Sequence, residues 1–491
     1  MRPTAKPREE SRVMGIILNY AQTLVNYGLA VAYVIVLTRY VPIEQYGYYN
    51  AIVSFVAIIS LFFPTLGVDN AIAREAAGTH ARGGDVIPYY SALASLTMFL
   101  SIMYAVALIF LAPILRYHGV PSYLVPIVYL LAAGIIINVL VGPMGFYLWS
   151  TQRTATQGLG STIGSLTYRL AQIALILAMR NVYAIAIASL LGNLATLIFF
   201  LVHVRVAPRV IEGFRLLRGR LRSFFNSGFQ YWIASYLGSL SGNILSYLVF
   251  LFLGPTPSAL FGISVVMTGA VGGFSAAVGN VFGSSASHAW GMGLDVGEMA
   301  KRYALSAVAA ASLLSSLAVL LAPLLVPLGV LVGNYVAALP YAMLFMGTAS
   351  LSSLDSVYMT YYWVEGRGWL AVERTAVGAV ITIAIYVAAA GRLGLYAAVL
   401  SSYVGMAVTS ILYWINNRPW GARMVSTIVV SLAVPASAAI TYALGMWPAP
   451  QALAVLLLIL FLLAVKPLDW DSLGQFPPLL RPIVKHFARR G

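Results

Sequence analysis

Cysteine is absent from this sequence, and charged residues are scarce. The 491 residues include 0 cysteines and only 14 acidic residues, and charged residues of both signs make up 9% of the chain. Without cysteine the protein has no disulfide bonds, no thiolate chemistry and no cysteine metal sites. A soluble domain of this length needs far more charge to cover its surface, so the composition excludes a soluble globular protein.

Apolar residues are correspondingly abundant, at 60% of the chain, with a mean hydropathy of +0.87. Apolar runs long enough to cross about 30 Å of hydrocarbon as a helix recur along the sequence. They are continuous rather than alternating, which predicts a helical bundle and not a membrane barrel. The fourteen predicted spans are 14–38, 46–67, 87–114, 121–149, 157–179, 182–204, 224–253, 257–281, 303–327, 337–363, 369–390, 392–415, 422–445 and 449–465.

Basic residues follow the predicted topology. With the N-terminus in the cytoplasm, the cytoplasmic loops and tails hold every lysine and arginine except Arg39, Arg116, Arg180 and Arg392 outside and Arg169 within a helix. An even number of helices then places both termini in the cytoplasm. The expected location of the protein is the plasma membrane. The positive-inside rule thus explains the net charge of +15, and no nucleic-acid partner is needed to account for it.

Two further absences argue against an enzyme. The sequence has no Walker A motif, so the chain does not hydrolyse nucleotides. The predicted outside loops contain a single carboxylate, Glu44, and lack the acidic cluster with which a membrane glycosyltransferase holds a metal ion. We therefore predict no catalytic residue, no metal site and no cofactor.

A basic segment, RVAPRVIEGFRLLRGRLR at 205–222, separates the sixth predicted span from the seventh. Val210, Phe214, Leu217 and Leu221 recur in it at helical spacing opposite the arginines. The segment is either a helix lying on the anionic inner leaflet or a plain positively charged loop.

The second half of the chain resembles the first. A shift of 215 residues sets 40–50 over 255–265, so that Pro42 meets Pro257, Tyr46 meets Phe261 and Gly47 meets Gly262. Six spans precede the second unit, so both units enter the bilayer in the same direction, as in a parallel transporter repeat. The predicted division is an N-terminal six-helix bundle at 1–204, the linker at 205–222, a second six-helix bundle at 223–416, and two extra helices with a basic tail at 417–491.

The stretch LTRYVPIEQYGYYN joins the first two spans. Pro42 and Gly47 predict a tight outer turn between two helices. The expected anchors at the outer interface are Tyr40, Tyr46, Tyr48 and Tyr49.

This hairpin and the following SLFFPTLGVDNAIAREAAG (60–78) resemble the polysaccharide flippases of the multidrug/oligosaccharidyl-lipid/polysaccharide exporter superfamily. In that family an arginine ending helix 1 leads into a Gly-Pro-Glu-x-Tyr-Gly-like turn, an apolar helix, then Leu-Gly and a basic residue. The matching residues are Arg39, Pro42, Glu44, Tyr46, Gly47, Leu66, Gly67 and Arg74. The sequence departs from the pattern at 41–43, where VPI replaces Leu-Gly-Pro. Helices 1 to 6 match well, whereas helices 9 to 14 match only in number and spacing.

The resemblance implies an all-α polytopic membrane protein, with two six-helix bundles around a central cavity, a pseudo-two-fold axis along the membrane normal and two additional C-terminal helices. It also implies a flippase that moves an isoprenoid (pyro)phosphate-linked oligosaccharide to the outer leaflet by alternating access, for surface polysaccharide or glycoprotein assembly. Its partners would be that lipid-linked oligosaccharide, membrane lipids and glycan-assembly enzymes.

Polar side chains inside the predicted spans are candidate substrate ligands, since such groups are costly in hydrocarbon. Helix 1 carries a stripe of amides on one face, and helix 7, its repeat counterpart, carries a similar set. These residues either line a wet cavity that binds sugar hydroxyls or bond neighbouring helices to one another. They are Asn19, Gln22, Asn26, Asn226, Gln230 and Asn243.

Arg169 lies well inside helix 5 with no acid near it in its own helix. Its guanidinium either binds the phosphate or pyrophosphate of a lipid-linked sugar or pairs with Asp355 of helix 10. At the cytoplasmic end of helix 2, Arg74 either collects an anionic headgroup or belongs to the ordinary positive-inside charge. Asp69 either holds Arg74 or solvates the helix end.

Two other functions remain open. A cation-coupled multidrug exporter of the same superfamily would be expected to carry intramembrane acids in its N-terminal half, where this chain has only Asp69, at a helix end. A membrane scaffold for glycan-assembly enzymes would transport nothing and would tolerate neutral substitutions of Arg169 and of the amide stripe in helix 1.

Overall fold

The computed structural model describes residues 29–60, 68–81, 84–151, 153–269, 271, 282, 286, 295–416, 422–465, 468–469 and 485–489. Almost all of them are helical. Hydrocarbon offers no partners to backbone N–H and C=O groups, so a continuous apolar segment satisfies those groups within its own helix.

Seventeen α-helices, with short 3-10 helices between some of them, follow one another in the described residues. They are α1 (Leu29–Tyr40), α2 (Ile43–Ile59), α3 (Val68–Ala81), α4 (Ile87–Leu111), α5 (Ile114–Tyr117), α6 (Pro126–Ser150), α7 (Thr154–Met179), α8 (Tyr183–His203), α9 (Val210–Leu253), α10 (255–269), α11 (Val296–Leu321), α12 (Leu339–Met346), α13 (Thr348–Val364), α14 (Gly368–Leu393), α15 (Leu395–Asn416), α16 (Ala422–Ala443) and α17 (Ala449–Val465). Two short strands, β1 (Leu468–Asp469) and β2 (Ala488–Arg489), pair in parallel.

The predicted fold class is confirmed: the protein is an all-α polytopic membrane protein. Within the described ranges, nine helices are long and apolar enough to cross a membrane. The number is ten if Gly333–Met346 and Thr348–Val364, which meet at a bend of 41°, form one span. Every predicted span overlaps a helix of the structure at least in part, and the count of fourteen stays a prediction.

The bend between α12 and α13 lies at Gly347. A break in a spanning helix exposes backbone groups that need new partners. Here the Leu344 carbonyl accepts a hydrogen bond from the Tyr403 hydroxyl of α15 at 2.6 Å, and the Gly347 N–H donates to the same carbonyl at 3.0 Å. The bend is therefore stabilised by a side chain from another helix.

The chain divides into two compact units, Met1–Trp232 and Ile233–Gly491. Helix α9 begins in the first unit and ends in the second. Its first turns pack against α3 and α4, where Leu217 and Phe224 are buried among Ile72 and Leu93. The four-part division of the sequence stays a prediction.

The link between α1 and α2 is shorter than predicted. Pro42 has extended backbone angles (φ −58°, ψ 136°) and directly precedes α2, and Glu44 in the first turn suits the helix dipole. The turn therefore consists of residues 41–42, and Gly47 lies inside a helix and is buried. The prediction that Tyr46 anchors the outer interface is wrong, because only 5% of this residue is exposed.

The same type of close helix crossing, at a pair of glycines, occurs in both units. In the first unit α7 meets α8 at Gly164 and Gly192, and a Cβ on Gly164 would lie 3.0 Å from the Gly192 carbonyl oxygen. In the second unit α14 meets α15 at Gly378 and Gly405, and a Cβ on Gly378 would lie 2.9 Å from the Gly405 carbonyl oxygen. The two pairs are 214 and 213 residues apart, close to the offset read from the sequence, so the repeat extends to the packing of each unit.

Replacing Gly378 by alanine should destabilise the protein by about 1–3 kcal/mol, because the new methyl group would overlap the Gly405 backbone and the Thr409 side chain. Gly391, in the same helix, is the matched control, since a methyl group there would meet no atom within 4 Å. Thermal unfolding in detergent should show a lower midpoint for Gly378→Ala than for Gly391→Ala. Equal midpoints would refute the close crossing.

Candidate functional site

Arg169 lies in the middle of α7 and is half-buried. Its Nη1 donates a hydrogen bond to Oε1 of Gln172, one turn further along the helix, at 3.0 Å. Its Cζ lies 5.4 Å from the ring centroid of Tyr168 and 5.4 Å from that of Tyr33 in α1. Both distances are those of cation–π contacts, so two aromatic rings hold the guanidinium.

Further side chains from α2 extend this arrangement. Tyr46 shares a side-chain hydrogen bond with Tyr33, and Tyr49 stacks on Tyr46 with ring centroids 6.3 Å apart. On α7, Gln172 also shares a hydrogen bond with Tyr168. We call this set the tyrosine–arginine cluster: Tyr33, Tyr46, Tyr49, Tyr168, Arg169 and Gln172. All its members belong to the first unit.

The donors of Arg169 are largely unused. A guanidinium has five N–H groups, and within the described part of the chain Arg169 donates only to Gln172 and forms no ion pair with a carboxylate. A cation at membrane depth needs a partner, because hydrocarbon does not solvate it. Contacts with the Tyr33 and Tyr168 rings constrain the guanidinium while its remaining N–H groups stay available. A planar fork of donors of this kind can bind an oxyanion through two parallel hydrogen bonds.

Arg374 in α14 shows the contrasting case. Only 8% of this residue is exposed, and it also contacts a tyrosine ring, that of Tyr362, at 5.7 Å. Its Nη1 and Nε donate to the carbonyls of Leu370 at 2.6 Å and Leu412 at 3.3 Å. Backbone carbonyls thus satisfy Arg374, which joins α14 to α15, and its Nη1 also lies 3.8 Å from a carboxylate oxygen of Glu373. Its role could not be predicted, because nothing in the local sequence pattern marks its burial.

The internal repeat offers a comparison for the tyrosine–arginine cluster. The offsets of 215 residues in α1–α2 and 214 in α7 pair its positions with residues of the second unit. Tyr33, Tyr46, Tyr168, Arg169 and Gln172 correspond to Leu248, Phe261, Thr382, Ile383 and Tyr386. The second unit keeps the same helices without the arginine or its amide partner, so the fold itself does not require the cluster.

The other predicted ligands are less fully placed. Asn19, Gln22 and Asn26 lie outside the described residues. Arg74 is in α3, and Asn226 and Gln230 are in α9, but their side chains are outside the described set. Their proposed contacts with substrate stay predictions.

Three other predicted residues have described side chains. Asn243 donates to the Ser239 carbonyl of its own helix at 2.9 Å. Asp69 is half-buried in the first turn of α3. Asp355, half-buried in α13, accepts a hydrogen bond from the Ser410 hydroxyl of α15 at 3.0 Å. Asp355 belongs to the second unit and Arg169 to the first, and their pairing stays a prediction.

The sequence singled out Arg169 but not its neighbours. Gln172 stands three residues after it, so helical spacing alone could have identified this partner. Tyr168 is adjacent in sequence, a spacing that does not predict a contact. Tyr33 is in a different helix, and only the tertiary structure brings it to the guanidinium.

Comparisons with known proteins agree with this fold. The model of the family described as polysaccharide biosynthesis protein matches residues 13–281, more than half of the chain. A comparison with curated proteins gives no match.

Several solved structures resemble the whole chain. A lipid II flippase, MurJ, in an inward closed conformation has a TM-score of 0.64 at 11% identity, over 96% of this chain and 100% of that one. A eukaryotic MATE transporter has a TM-score of 0.59 at 12% identity, over 86% and 100%. An inward-facing multidrug resistance MATE transporter has a TM-score of 0.57 at 16% identity, over 84% and 98%. Identities this low show a shared fold.

The family model and the shared fold together support the resemblance read from the sequence. The chain belongs to the polysaccharide biosynthesis protein family, and it shares its fold with the lipid II flippase and MATE transporter structures.

Proposed function

We propose that the protein is a flippase that moves an isoprenoid (pyro)phosphate-linked oligosaccharide from the cytoplasmic to the outer leaflet of the cell membrane. Alternating access would carry the substrate across, for surface polysaccharide or glycoprotein assembly. The observation that carries the proposal is Arg169, a cation inside a membrane-spanning helix with aromatic rings around it and N–H donors to spare.

The chemistry of the cluster suits a phosphorylated sugar lipid. The (pyro)phosphate would accept hydrogen bonds from the guanidinium, and the half-buried tyrosines of the cluster, Tyr49 and Tyr168, would contact the sugar. A cationic drug has no group that would benefit from an arginine at this position, so the cluster disfavours the exporter alternative. The likeness to a lipid II flippase supports a lipid-linked substrate.

The remaining predicted ligands complete the proposal. The amides Asn19, Gln22 and Asn26 would bind sugar hydroxyls, and Arg74 would receive the headgroup from the inner leaflet. The distribution of arginine supports cytoplasmic N- and C-termini. The amides of α9, Asn226, Gln230 and Asn243, would take part in the same recognition.

Asp355 would couple transport to an ion or proton gradient, because it is a carboxylate inside a bent span with one hydroxyl donor, Ser410, and no basic partner in the described part of the chain. We expect Asp355→Asn to make transport insensitive to the imposed gradient, while Ser410→Ala retains sensitivity. Transport rates in proteoliposomes with and without Na⁺ or H⁺ gradients measure this. Unchanged gradient dependence in Asp355→Asn would exclude coupling through this group.

The direct test is exposure of a labelled lipid-linked oligosaccharide in proteoliposomes to an external glycosidase. The wild-type protein should expose inner-leaflet sugar, and Arg169→Gln should slow this about tenfold to a hundredfold, as expected for loss of a charge-assisted hydrogen bond. Arg180→Gln is the matched control. Arg180 ends the same helix, is exposed and contacts the Tyr40 ring at 5.6 Å.

Arg169→Lys separates charge from shape in this assay, since lysine keeps the charge but loses the planar fork of donors. Equal rates for wild type and Arg169→Gln would remove Arg169 from the mechanism. If folded wild-type protein exposes no sugar on several lipid carriers, with and without ion gradients, the flippase proposal fails. The exporter and scaffold functions would then be the alternatives to test.

Tyr33 should stabilise the Arg169 side chain through its ring rather than its hydroxyl. We expect Tyr33→Leu to lose about 0.5–2 kcal/mol of cation–π energy that Tyr33→Phe keeps. A double-mutant cycle with Arg169→Gln, measured by thermal unfolding, isolates this energy. If the Leu substitution costs the same with and without the arginine, the ring contact contributes nothing.

A further inference from the structure

The first turns of α9 present two different faces. Gly213, Leu217, Arg220 and Phe224 recur at spacings of four, three and four residues and face the first unit. Leu217 and Phe224 are buried there, and Nη1 of Arg220 lies 2.8 Å from a carboxylate oxygen of Glu75.

The backbone at the start of α9 is also tied to α4. The Ser95 hydroxyl donates to the Val210 carbonyl at 2.9 Å, and the Arg209 N–H donates to the Ser91 hydroxyl at 2.9 Å. This part of the chain is therefore a docked helix rather than a loop, and its rotation about its own axis is set by buried contacts.

The opposite side, which we call the outer face, consists of six exposed residues that share one side of the helix: Ile211, Phe214, Arg215, Arg218, Leu221 and Arg222. Its apolar side chains are far from covered, with 78% of Ile211, 45% of Phe214 and 48% of Leu221 exposed. Arginines flank them along the same side of the helix.

The arginines of this segment differ in their partners. Arg220 pairs with Glu75, and Arg209 pairs with Glu212 at 3.3 Å. Among the residues that the structure describes, Arg215, Arg218 and Arg222 form no ion pair. The arginines that pair with acidic side chains thus lie outside the outer face. The three arginines on the outer face have no acidic partner among the described residues.

We propose that the outer face of α9 is a binding surface for anionic phospholipid headgroups. The three arginines would contact lipid phosphates while Ile211, Phe214 and Leu221 enter the boundary between headgroups and acyl chains. A lipid surface is favoured over a protein partner because the start of α9 is hydrogen-bonded to Ser91 and Ser95, in the first turns of α4, a helix long and apolar enough to cross the membrane. The outer face therefore begins at the end of a membrane-spanning helix. The surface is independent of the substrate of the transporter.

Spin labels measure the depth of the outer face, and the absence of cysteine makes single-site labelling of the full chain direct. One label replaces Phe214, and a control label replaces Gly219, which is exposed, off the outer face and free of atoms within 4 Å of a side-chain position. The protein is placed in nanodiscs of phosphatidylcholine with or without phosphatidylglycerol. Accessibility to oxygen against a water-soluble nickel complex reports immersion.

We expect the label at 214 to be immersed in discs that contain phosphatidylglycerol and the label at 219 to stay in water. Losing three arginines, each worth about fivefold near an anionic surface, should weaken attachment about a hundredfold. The triple variant Arg215→Gln, Arg218→Gln, Arg222→Gln should therefore return the label at 214 to water. The charge-matched variant Arg205→Gln, Arg209→Gln, Arg367→Gln should leave it immersed.

Three results would overturn the proposal: a label at 214 that stays in water with phosphatidylglycerol, equal immersion in discs without anionic lipid, or equal effects of the two triple variants. The first two results are measured with all three arginines in place, so they test the proposal even if the triple variant folds poorly. Raised salt should also weaken an attachment made by exposed charges, and the same labels measure this.

Discussion

The structure depends on one constraint, the inability of hydrocarbon to solvate charges and unpaired backbone groups. It accounts for the continuous helices, for the side-chain donor that Tyr403 supplies where α12 and α13 bend, and for the low charge content of the chain. It also makes each remaining charge informative. An arginine at membrane depth either has a partner within the fold or is available to bind an anion from outside the protein.

The arginines of this protein fall into groups by that criterion. Arg374 is satisfied by backbone carbonyls and serves the packing of α14 on α15. Arg209 and Arg220 are paired with carboxylates. Within the described residues, Arg169 retains most of its donors, and so do the arginines on the outer face of α9. In the two proposals made above, lipid oxyanions would bind at both sites, a transported headgroup at the first and resident phospholipid at the second.

The internal repeat separates architecture from specialisation. Both units keep a crossing of two helices at paired glycines, because a close approach of backbones leaves no room for a side chain. The tyrosine–arginine cluster is present in the first unit only. In the second unit, the position equivalent to Arg169 is occupied by Ile383. Two copies of one fold have therefore kept their packing while their polar residues diverged, and the first unit carries the features suited to anion recognition.

Sequence alone determined that the protein is a polytopic helical membrane protein, its repeat offset and its family, since these follow from hydropathy and local spacing. Sequence also singled out Arg169, because an arginine within an apolar run is conspicuous. Tertiary structure decided that Tyr46 turns inward, that Tyr33 of a distant helix holds the guanidinium, and that the basic linker is a helix docked through Leu217 and Phe224. Those outcomes depend on which face of each helix meets another helix, and a helix that is apolar on all sides carries no local signal of its buried face.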